Sequence, residues 1–517
     1  MSASTSTRRI NLPPRSEYRF ELEGSERISL RLLTKQQANS GESEDAEIFG
    51  AEMVGGTQER WYPFGDEAKV AVSSWNGAEI ELAGQASTEY LADEPSPTYT
   101  SYSNLHLYLE RARILARSSL RQNPSLISSL ASSVSEDSFI PPTFPDPSSS
   151  PSSTTLKESG PGTSYRPEGQ GPRVMILGPE SSGKTSLVKF LANYALRSPA
   201  IASLGKGKAQ KVEESMKSSG SAGDLAAKEE EERKRKKKEG KDQSEITGWW
   251  PVVVNLDPSE GAPPLPCCIS ALPLSPLPLA SLPSPSPAFP YGTSTSTTGA
   301  IPPGPSTAHG VAPLSLWVGR ESMRDNEMHS KRVVDWLAEG VERRLARDMR
   351  SRMSGLIVDT PGVTTADARS RYSFIQHCVR AFKIDTIIVL GHEKLNIEMT
   401  KVFGGNPPTL IPGLNGAPMP RVNVIKLPKS GGVVELDETY KQRLRSLQVR
   451  SYFYGGSLPK VNESHDPSDP SSKPFLPGHS EPLGGLPTLN PYSTTIPLDL
   501  LEIYRVGQAS PRWRGSM

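Results

Sequence analysis

The stretch RVMILGPESSGKTSLVKFLANYAL, residues 173–196, decides the fold of this 517-residue chain. A short apolar run (173–177) leads directly into GPESSGKT (178–185), which matches the GxxxxGK[ST] phosphate-loop pattern, and a helical pattern follows. Glycines such as Gly178 let such a loop wrap around phosphates, while its N–H groups and the helix N-terminus supply positive potential. The alternative, a glycine-rich turn that merely opens a helix, is disfavoured because the preceding strand and following helix are both present. The stretch therefore predicts a nucleoside triphosphate site.

Two residues of the loop and one distant aspartate have expected roles in this site. Lys184 is placed to reach the β- and γ-phosphates, and the Thr185 hydroxyl to ligate Mg²⁺. Asp359 ends the apolar run in GLIVDTPG (355–362), where a second carboxylate approaches the magnesium ion. The sequence thus predicts a Mg²⁺–nucleotide site that includes Thr185 and Asp359.

The kind of nucleotide is indicated by the strand that follows. The Asp-Thr-Pro-Gly of residues 359–362 also fits the phosphate-sensing turn of GTPases, which read guanine with Asn-Lys-x-Asp after the next strand. After IDTIIVL (384–390) this chain instead has Gly-His-Glu-Lys at 391–394. Because the guanine-reading residues are missing, a GTPase is disfavoured.

Other charged residues have two open interpretations. Asp257 ends the run PVVVNL (251–256) and either accepts a proton from an attacking hydroxyl or caps the next turn. Arg443, Arg445 and Arg450 lie on a predicted helix before an aromatic cluster, and arginines there either clamp phosphate charge or form a solvated face. The residues alone leave both pairs of alternatives open.

Outward from the loop, the pattern predicts two ordered blocks. Short apolar runs without alternation, separated by helical patterns at 186–196, 331–349 and 371–382, are typical of an α/β domain with a mostly parallel sheet. Residues 9–117 instead alternate apolar and polar residues, which predicts an all-β sandwich, followed by a helix capped by Asn104.

Low-complexity segments divide the chain into domains. The Ser/Pro-rich residues 118–170 predict a disordered linker, because such compositions bury too little apolar surface to offset the entropy of ordering. Residues 172–455 are expected to form the P-loop domain, with disordered inserts at 198–246 and 272–313. Residues 456–517 follow this domain.

Composition excludes several classes of protein. With 58 Lys and Arg against 57 Asp and Glu, there is no global basic field for nucleic acid. Three cysteines do not suffice for a disulfide scaffold, and adjacent Cys267 and Cys268 are interpreted as buried apolar residues. No apolar run is long enough for a membrane span and no secretory signal is visible, so we expect an intracellular protein. The basic run at 233–238 is a nuclear-import patch, a non-specific RNA contact or simply solvated charge.

Taken together, these segments resemble a known family, the P-loop subunit of the eukaryotic pre-mRNA cleavage and polyadenylation factor in its fungal form, and its relatives the polynucleotide 5′-hydroxyl kinases. The resemblance is carried by the following stretches: SEYRFELEG (16–24), NLHLYLERAR (104–113), GPESSGKTS (178–186), VNLDP (254–258), and LPKSGGVVE (427–435) with RSYFYGG (450–456). It implies an N-terminal β domain, a central Ras-like ATPase domain and a small C-terminal domain, with ATP and Mg²⁺ as cofactors. Residues 456–517 match only part of that C-terminal domain, so against the family it looks truncated.

The resemblance also assigns residues. It implies ATP contacts from Glu17 and Lys69 of the N-terminal domain. From the loop it implies ATP contacts by Ser181, Ser182, Gly183, Lys184, Thr185 and Ser186. In the kinase branch, the position of Asp257 serves the metal and the attacking hydroxyl, and lid arginines match Arg445 and Arg450.

One departure bears on activity. Kinase-type members read Asp-Val-Gly-Gln-Gly where this chain has Asp-Pro-Ser-Glu-Gly at 257–261, and the proline restricts the backbone beside the candidate base. Two functions follow. In the favoured one, the chain is an ATP-binding subunit of the nuclear cleavage factor, required for pre-mRNA cleavage and polyadenylation, with ATP mainly structural. The alternative is an active RNA 5′-hydroxyl kinase. The implied partners are the scaffold subunit that binds the RNA polymerase II tail, and pre-mRNA within the complex.

Overall fold

A computed structural model describes the N-terminal and central parts of the chain. The described residues are 7–23, 26, 28–33, 45–53, 61–64, 68–92, 97–122, 169–198, 248–259, 265–274, 314–403, 422–443, 445–446 and 497. Nearly all of the predicted C-terminal domain, most of the linker and most of both inserts lie outside these ranges.

The N-terminal block is a sandwich of two antiparallel sheets. Its strands are β1 (Thr7–Leu12), β2 (Ser16–Glu21), β3 (Ile28–Leu33), β4 (Glu47–Ile48), β5 (Ala51–Glu52), β6 (Tyr62–Phe64), β7 (Lys69–Ser74), β8 (Ala78–Gly84) and β9 (Thr88–Leu91). One sheet has the order β1-β8-β3-β6 and the other β5-β4-β7-β2-β9. Alternating residues such as Phe20, Leu30 and Ile80 face a common core between the sheets. The predicted sandwich is confirmed.

The central block is built on one seven-stranded sheet. Its strands are β10 (Arg173–Leu177), β11 (Val252–Asn255), β12 (Cys268–Pro273), β13 (Leu314–Trp317), β14 (Leu356–Asp359), β15 (Thr386–Leu390) and β16 (Asn423–Leu427). Their order is β13-β12-β11-β14-β10-β15-β16. Strands β11, β14, β10, β15 and β16 run parallel, which places the carboxyl ends of β10 and β14 beside each other. Strands β12 and β13 are antiparallel and complete one edge.

Helices cover both faces of this sheet. They are α1 (Pro97–Gln122), α2 (Lys184–Arg197), α3 (Glu327–Arg347), α4 (Met349–Ser354), α5 (Thr365–Arg369), α6 (Ser373–Ala381) and α7 (Glu393–Phe403). Helices α1 and α2 pack on one face, and α3, α6 and α7 pack on the other. The central strands β10, β14 and β15 are buried on both faces, as their continuous apolar runs require, whereas the edge strand β16 is partly exposed. The predicted α/β P-loop fold is confirmed. None of the described helices combines the length and apolarity needed to cross a bilayer.

Three local expectations are corrected by the structure. The helix predicted to begin at Asn104 begins at Pro97, because proline suits the first helical turn, and Asn104 lies exposed within the helix. Strand β12 runs through Leu272 to Pro273, so the segment predicted as an insert from 272 starts within the sheet. Cys268 is buried as expected, whereas Cys267 is only partly buried, in a turn with φ of 62°.

The sandwich and the central block meet along α1 and α2. The Tyr194 hydroxyl on α2 donates to Glu47 Oε1 of the sandwich at 2.6 Å and accepts from Trp75 Nε1 at 3.2 Å. Arg197 forms an ion pair with Glu47, whose side chain is almost fully buried. Because the Glu47 carboxylate is shielded from solvent, losing Arg197 would leave it without its paired charge, so the pair constrains how the two domains sit together. The C-terminal end of α2 therefore packs against the sandwich.

Candidate nucleotide site

The phosphate loop links β10 to α2 and adopts a concave backbone. Ser181 and Gly183 have positive φ values of 51° and 86°, and Leu187 N–H donates to Gly183 O at 3.0 Å to start the helix. Successive N–H groups in such a turn, at a helix N-terminus, attract anions. A side chain on Gly183 would lie 2.8 Å from Val433 Cγ2, so glycine is required both for its conformation and for space.

The loop contains an orphaned polar atom that fits a phosphate ligand. Ser182 is 1% exposed, and its hydroxyl has no hydrogen-bond partner among the described residues. A Cβ on Gly178 would lie 2.5 Å from that hydroxyl, so any other residue there would fill the space around it. Lys184 Nζ donates to Pro179 O at 2.9 Å, a contact within the loop that a phosphate oxygen can replace. These residues fit a bound polyphosphate.

The two residues expected to hold Mg²⁺ meet in the structure. Thr185 Oγ1 donates to Asp359 Oδ2 at 2.7 Å, and Thr360 N–H donates to Asp359 Oδ1 at 3.0 Å. Burial raises the pKa of Asp359 to about 6, against the opposing effects of the Lys184 charge and the Thr185 hydrogen bond. Within the described ranges, no three His, Cys, Asp or Glu side chains converge on one point. A hydroxyl and one carboxylate fit Mg²⁺, which usually completes its shell with phosphates and water.

Asp257 lies nearby but is engaged locally. Its Oδ1 accepts from the Ser259 hydroxyl at 2.6 Å and from Ser259 N–H at 3.0 Å, which is an Asx-type turn. It is 7% exposed, and its negative charge contributes to the raised pKa of Asp359. Asp257 therefore caps the turn after β11 and also lies close enough to Asp359 to influence its charge.

The sandwich supplies the opposite wall of the site through β2 and β7. Glu17 pairs with Arg19 at 2.6 Å, and Lys69 pairs with Glu21 on the neighbouring strand. The Lys69 ammonium also lies 5.2 Å from the centre of the Tyr440 ring. The two residues assigned here by resemblance, Glu17 and Lys69, thus face the phosphate loop from the other domain.

A third wall comes from the segment after β16. Lys441 forms an ion pair with Glu180 of the phosphate loop, and a side chain on Gly432 would lie 2.6 Å from Arg19 Nε. This segment, described at residues 430–443 and 445, therefore packs against both the phosphate loop and the sandwich. It closes the gap between the two domains.

The three walls enclose a cavity of about 230 Å³. Among the predicted site residues, Glu17, Lys69, Ser181–Ser186 and Arg445 line it. Gly178, Asp257 and Asp359 do not line it, although Asp359 is hydrogen-bonded to the lining residue Thr185. Arg450 lies outside the described residues.

Arg445 reaches the cavity with its charge already paired. Its Nη2 donates to Glu438 Oε1 at 2.7 Å, and its Nη1 lies 3.6 Å from Glu321 Oε2. Both glutamates are largely exposed. The arrangement holds the guanidinium at the cavity edge, where an incoming phosphate would compete with two carboxylates.

The loop at 391–394, where a GTPase would read guanine, does not line the cavity. His392 Nδ1 instead accepts from Leu395 N–H at 3.0 Å and caps α7, and Glu393 pairs with Lys426. The side chains of His392 and Glu393 are therefore engaged in contacts at the start of α7. The geometry therefore agrees with the disfavoured GTPase interpretation.

Several lining residues were missed by sequence reasoning. They are Arg19, Phe49, Lys189, Tyr440 and Lys441. Arg19 lies two residues from Glu17, on the same face of β2, and Lys189 lies one helical turn beyond Thr185. Those spacings were a usable signal. Phe49 and Tyr440 had none, because only the tertiary fold brings them to the loop.

The fold and the cavity define a P-loop nucleotide-binding protein with an attached β-sandwich. Family models agree: residues 11–116 match the N-terminal beta-sandwich domain of polyadenylation factor, and residues 245–455 match the mRNA cleavage and polyadenylation factor CLP1 P-loop. A relative from Mycosarcoma maydis, the mRNA cleavage and polyadenylation factor CLP1, is 68% identical over 98% of this chain and 81% of its own length. One from Laccaria bicolor, of the same name, is 31% identical over 98% of this chain and 78% of its own. The chain belongs to the CLP1 family of mRNA cleavage and polyadenylation factors, which confirms the resemblance.

Solved structures agree on the fold. The complex of wild-type Clp1p with a segment of Pcf11p superposes with a TM-score of 0.53 at 20% identity, covering 88% of this chain and 75% of that one. A second structure, of an interface between Pcf11p and Clp1p and of ATP loss in a point mutant, has a TM-score of 0.52. At this identity the likeness supports the architecture alone.

Proposed function

We propose that this chain is the ATP-binding subunit of the nuclear pre-mRNA cleavage factor, and that ATP acts mainly as a structural ligand held between its two domains. The observation that carries the proposal is the shared cavity, lined by the phosphate loop, the sandwich and residues 430–445. A ligand that touches all three parts stabilises their arrangement. At ~1,000-fold above its dissociation constant, such a ligand adds about 4 kcal/mol to the free energy of unfolding.

The roles of the site residues follow from their positions. Lys184, Ser181–Gly183 and Ser186 would hold the phosphates, with Gly178 leaving room for Ser182. Glu17 and Lys69 would contact the nucleotide from the sandwich side. Thr185 and Asp359 would hold Mg²⁺, which neutralises phosphate charge, and Asp257 would support the same ion from the end of β11.

The local engagement of Asp257 favours a structural nucleotide over a kinase. A general base must be free to reach the proton it accepts, whereas Asp257 already accepts two hydrogen bonds from Ser259. Arg445 is likewise paired with Glu438 and Glu321. The kinase alternative, with Asp257, Arg445 and Arg450 in catalysis, requires these contacts to be exchanged when substrate binds.

Assembly partners are proposed from the family. One solved relative is a complex of Clp1p with Pcf11p, and we infer a matching scaffold subunit that also binds the RNA polymerase II tail. Contact with pre-mRNA would come through the assembled factor, required for cleavage and polyadenylation. The proposed place of action is the nucleus.

A label-transfer experiment separates the two functions. Purified protein is incubated with Mg²⁺, γ-labelled ATP and RNA bearing a 5′-hydroxyl, alongside an active polynucleotide kinase as a positive control. The proposal predicts that ATP binds and the RNA stays unlabelled. Label on the RNA that is lost in Asp257→Asn, with ATP binding retained, would replace the proposal by the kinase alternative.

A further inference from the structure

Lys189 is a buried cation in the wall of the nucleotide cavity. It lies on α2, one turn beyond Thr185, and is 5% exposed. Its ammonium lies 4.9 Å from the centre of the Phe49 ring, which belongs to the sandwich. The lysine therefore sits where the phosphate-loop helix and the sandwich meet.

The turn that carries Phe49 is fixed against the same helix. Asn193 Nδ2 donates to Phe49 O at 2.8 Å, and a side chain on Gly50 would lie 2.6 Å from the Tyr194 ring. Phe49 itself has a φ of 46°, which a phenylalanine adopts only where its surroundings hold it. The ring over Lys189 is thus a fixed part of the cavity wall.

Lys189 differs from the other basic residues in this wall. Those with carboxylate partners are Arg19 with Glu17, Lys69 with Glu21, Lys441 with Glu180, and Arg445 with Glu438. Lys184 donates to a loop carbonyl. Among the residues that the structure describes, none accepts a hydrogen bond or forms an ion pair with Lys189.

An unpaired ammonium is costly in this position, and an anion would offset the cost. Burial lowers the pKa of Lys189 to about 8, and the more distant Asp359 charge only partly opposes this. An aromatic face stabilises a cation without neutralising it. A phosphate oxygen reaching this wall would supply the missing charge.

We propose that Lys189 is a second phosphate-binding lysine of the nucleotide site, which recognises the charge of the triphosphate alongside Lys184. This rests on the proposed nucleotide function and deepens it. Since hydrogen bonds to charged groups contribute about 1.5–3 kcal/mol, its loss should weaken ATP binding by about tenfold or more.

The test measures how the loss depends on phosphate number. Binding of adenosine, AMP, ADP and ATP is measured by calorimetry in excess Mg²⁺ for the wild type and Lys189→Met, which keeps length but removes charge. We expect adenosine affinity to stay within about twofold and the loss to grow towards ATP. Lys394→Met, an exposed lysine away from the cavity, is the matched control.

Folding is checked by thermal unfolding without nucleotide. Lys189→Met is expected to melt at the same temperature as the wild type or higher, because it removes a buried unpaired charge. If Lys189→Met misfolds, Lys189→Gln replaces it.

An equal loss of affinity for adenosine and ATP, or no loss at all, would overturn the proposal. Unchanged binding in Lys189→Met with lost binding in Lys184→Ala would overturn this proposal alone, whereas a wild type that binds no ATP would overturn both.

Discussion

Thr185 and Asp359 are joined by a hydrogen bond of 2.7 Å, although 174 residues separate them in sequence. Thr185 lies in the first turn of α2 and Asp359 ends β14, and the parallel pairing of β10 with β14 brings these termini together. The turn after Asp359 is also attached to the phosphate loop, since Val363 N–H donates to Gly178 O at 2.9 Å. The two halves of the proposed magnesium site are therefore held together by contacts within the protein.

Asp359→Asn tests this magnesium assignment. The amide still accepts the Thr185 hydrogen bond but lacks the charge that a magnesium ion needs. In the wild type, Mg²⁺ should raise the affinity for ATP. We predict that this increase is about tenfold smaller in Asp359→Asn, because one contact between a charged group and the ion is lost. Calorimetric titrations with and without Mg²⁺ measure it, with the exposed Asp325→Asn as a charge-matched control. Identical magnesium dependence in Asp359→Asn and the wild type would rule the assignment out.

Gly183→Ala tests the shape of the phosphate loop. The substitution places a side chain at a φ of 86° and 2.8 Å from Val433 Cγ2, so both the loop and the covering segment must shift. Strain of about 1 kcal/mol is expected from the backbone alone, and ATP affinity should fall by about fivefold or more. Fluorescence titration with a nucleotide analogue measures the affinity.

The control for that variant is Gly77→Ala. Gly77 has a φ of 97° in a turn of the sandwich, away from the cavity. Gly77→Ala should lower the melting temperature through comparable backbone strain while leaving the affinity for ATP unchanged. If both variants reduced ATP affinity equally, the effect would come from general destabilisation.

His106 gives the fold a defined response to acid. Its Nε2 lies 3.0 Å from the Ser198 hydroxyl, at the contact between α1 and the end of α2. Burial lowers its pKa to about 3, with Arg113 and Arg197 adding to the effect. Because the unfolded chain takes up this proton near pH 6.5 and the folded chain does not, stability is full above that pH and falls below it.

At pH 5.5, one unit below the pKa of the histidine in the unfolded chain, we predict that protonation of unfolded His106 lowers the free energy of unfolding by roughly 1.4 kcal/mol. Urea unfolding of the wild type and His106→Gln at pH 7.5 and 5.5 measures the difference. The variant should lose less stability on acidification than the wild type. His329→Gln, at an exposed position, should behave like the wild type; equal acid sensitivity in His106→Gln would refute the role.

The core of the site was predictable because its signals are local. The loop motif fixes the strand before it and the helix after it, and Asp359 ends an apolar run that only a buried strand explains. The order of the remaining strands in the sheet was harder to predict. Strands β12 and β13 add antiparallel to the sheet edge, and the long stretch between them gives no indication of their pairing.

What the sequence lacked was the contact between domains. In the sequence, Lys189 looks like an ordinary lysine of a helix, and only the folded structure places the Phe49 ring over it. Tyr440 likewise looks like a surface residue, and only the folded structure places Lys69 beside its ring. Such contacts depend on how the sandwich packs against α2, and the ion pair between Glu47 and Arg197 helps to fix that packing. Neither residue carries a local motif.

The most direct test of the central claim is to identify the nucleotide that the protein retains when purified without any added. The denatured protein is extracted and its nucleotide analysed by chromatography, for the wild type, Lys184→Ala and the control Lys394→Ala. We predict close to one intact ATP per wild-type and Lys394→Ala chain, and much less in Lys184→Ala. Wild-type protein that carries ADP, or no nucleotide while folded, would contradict a structural ATP held between the two domains.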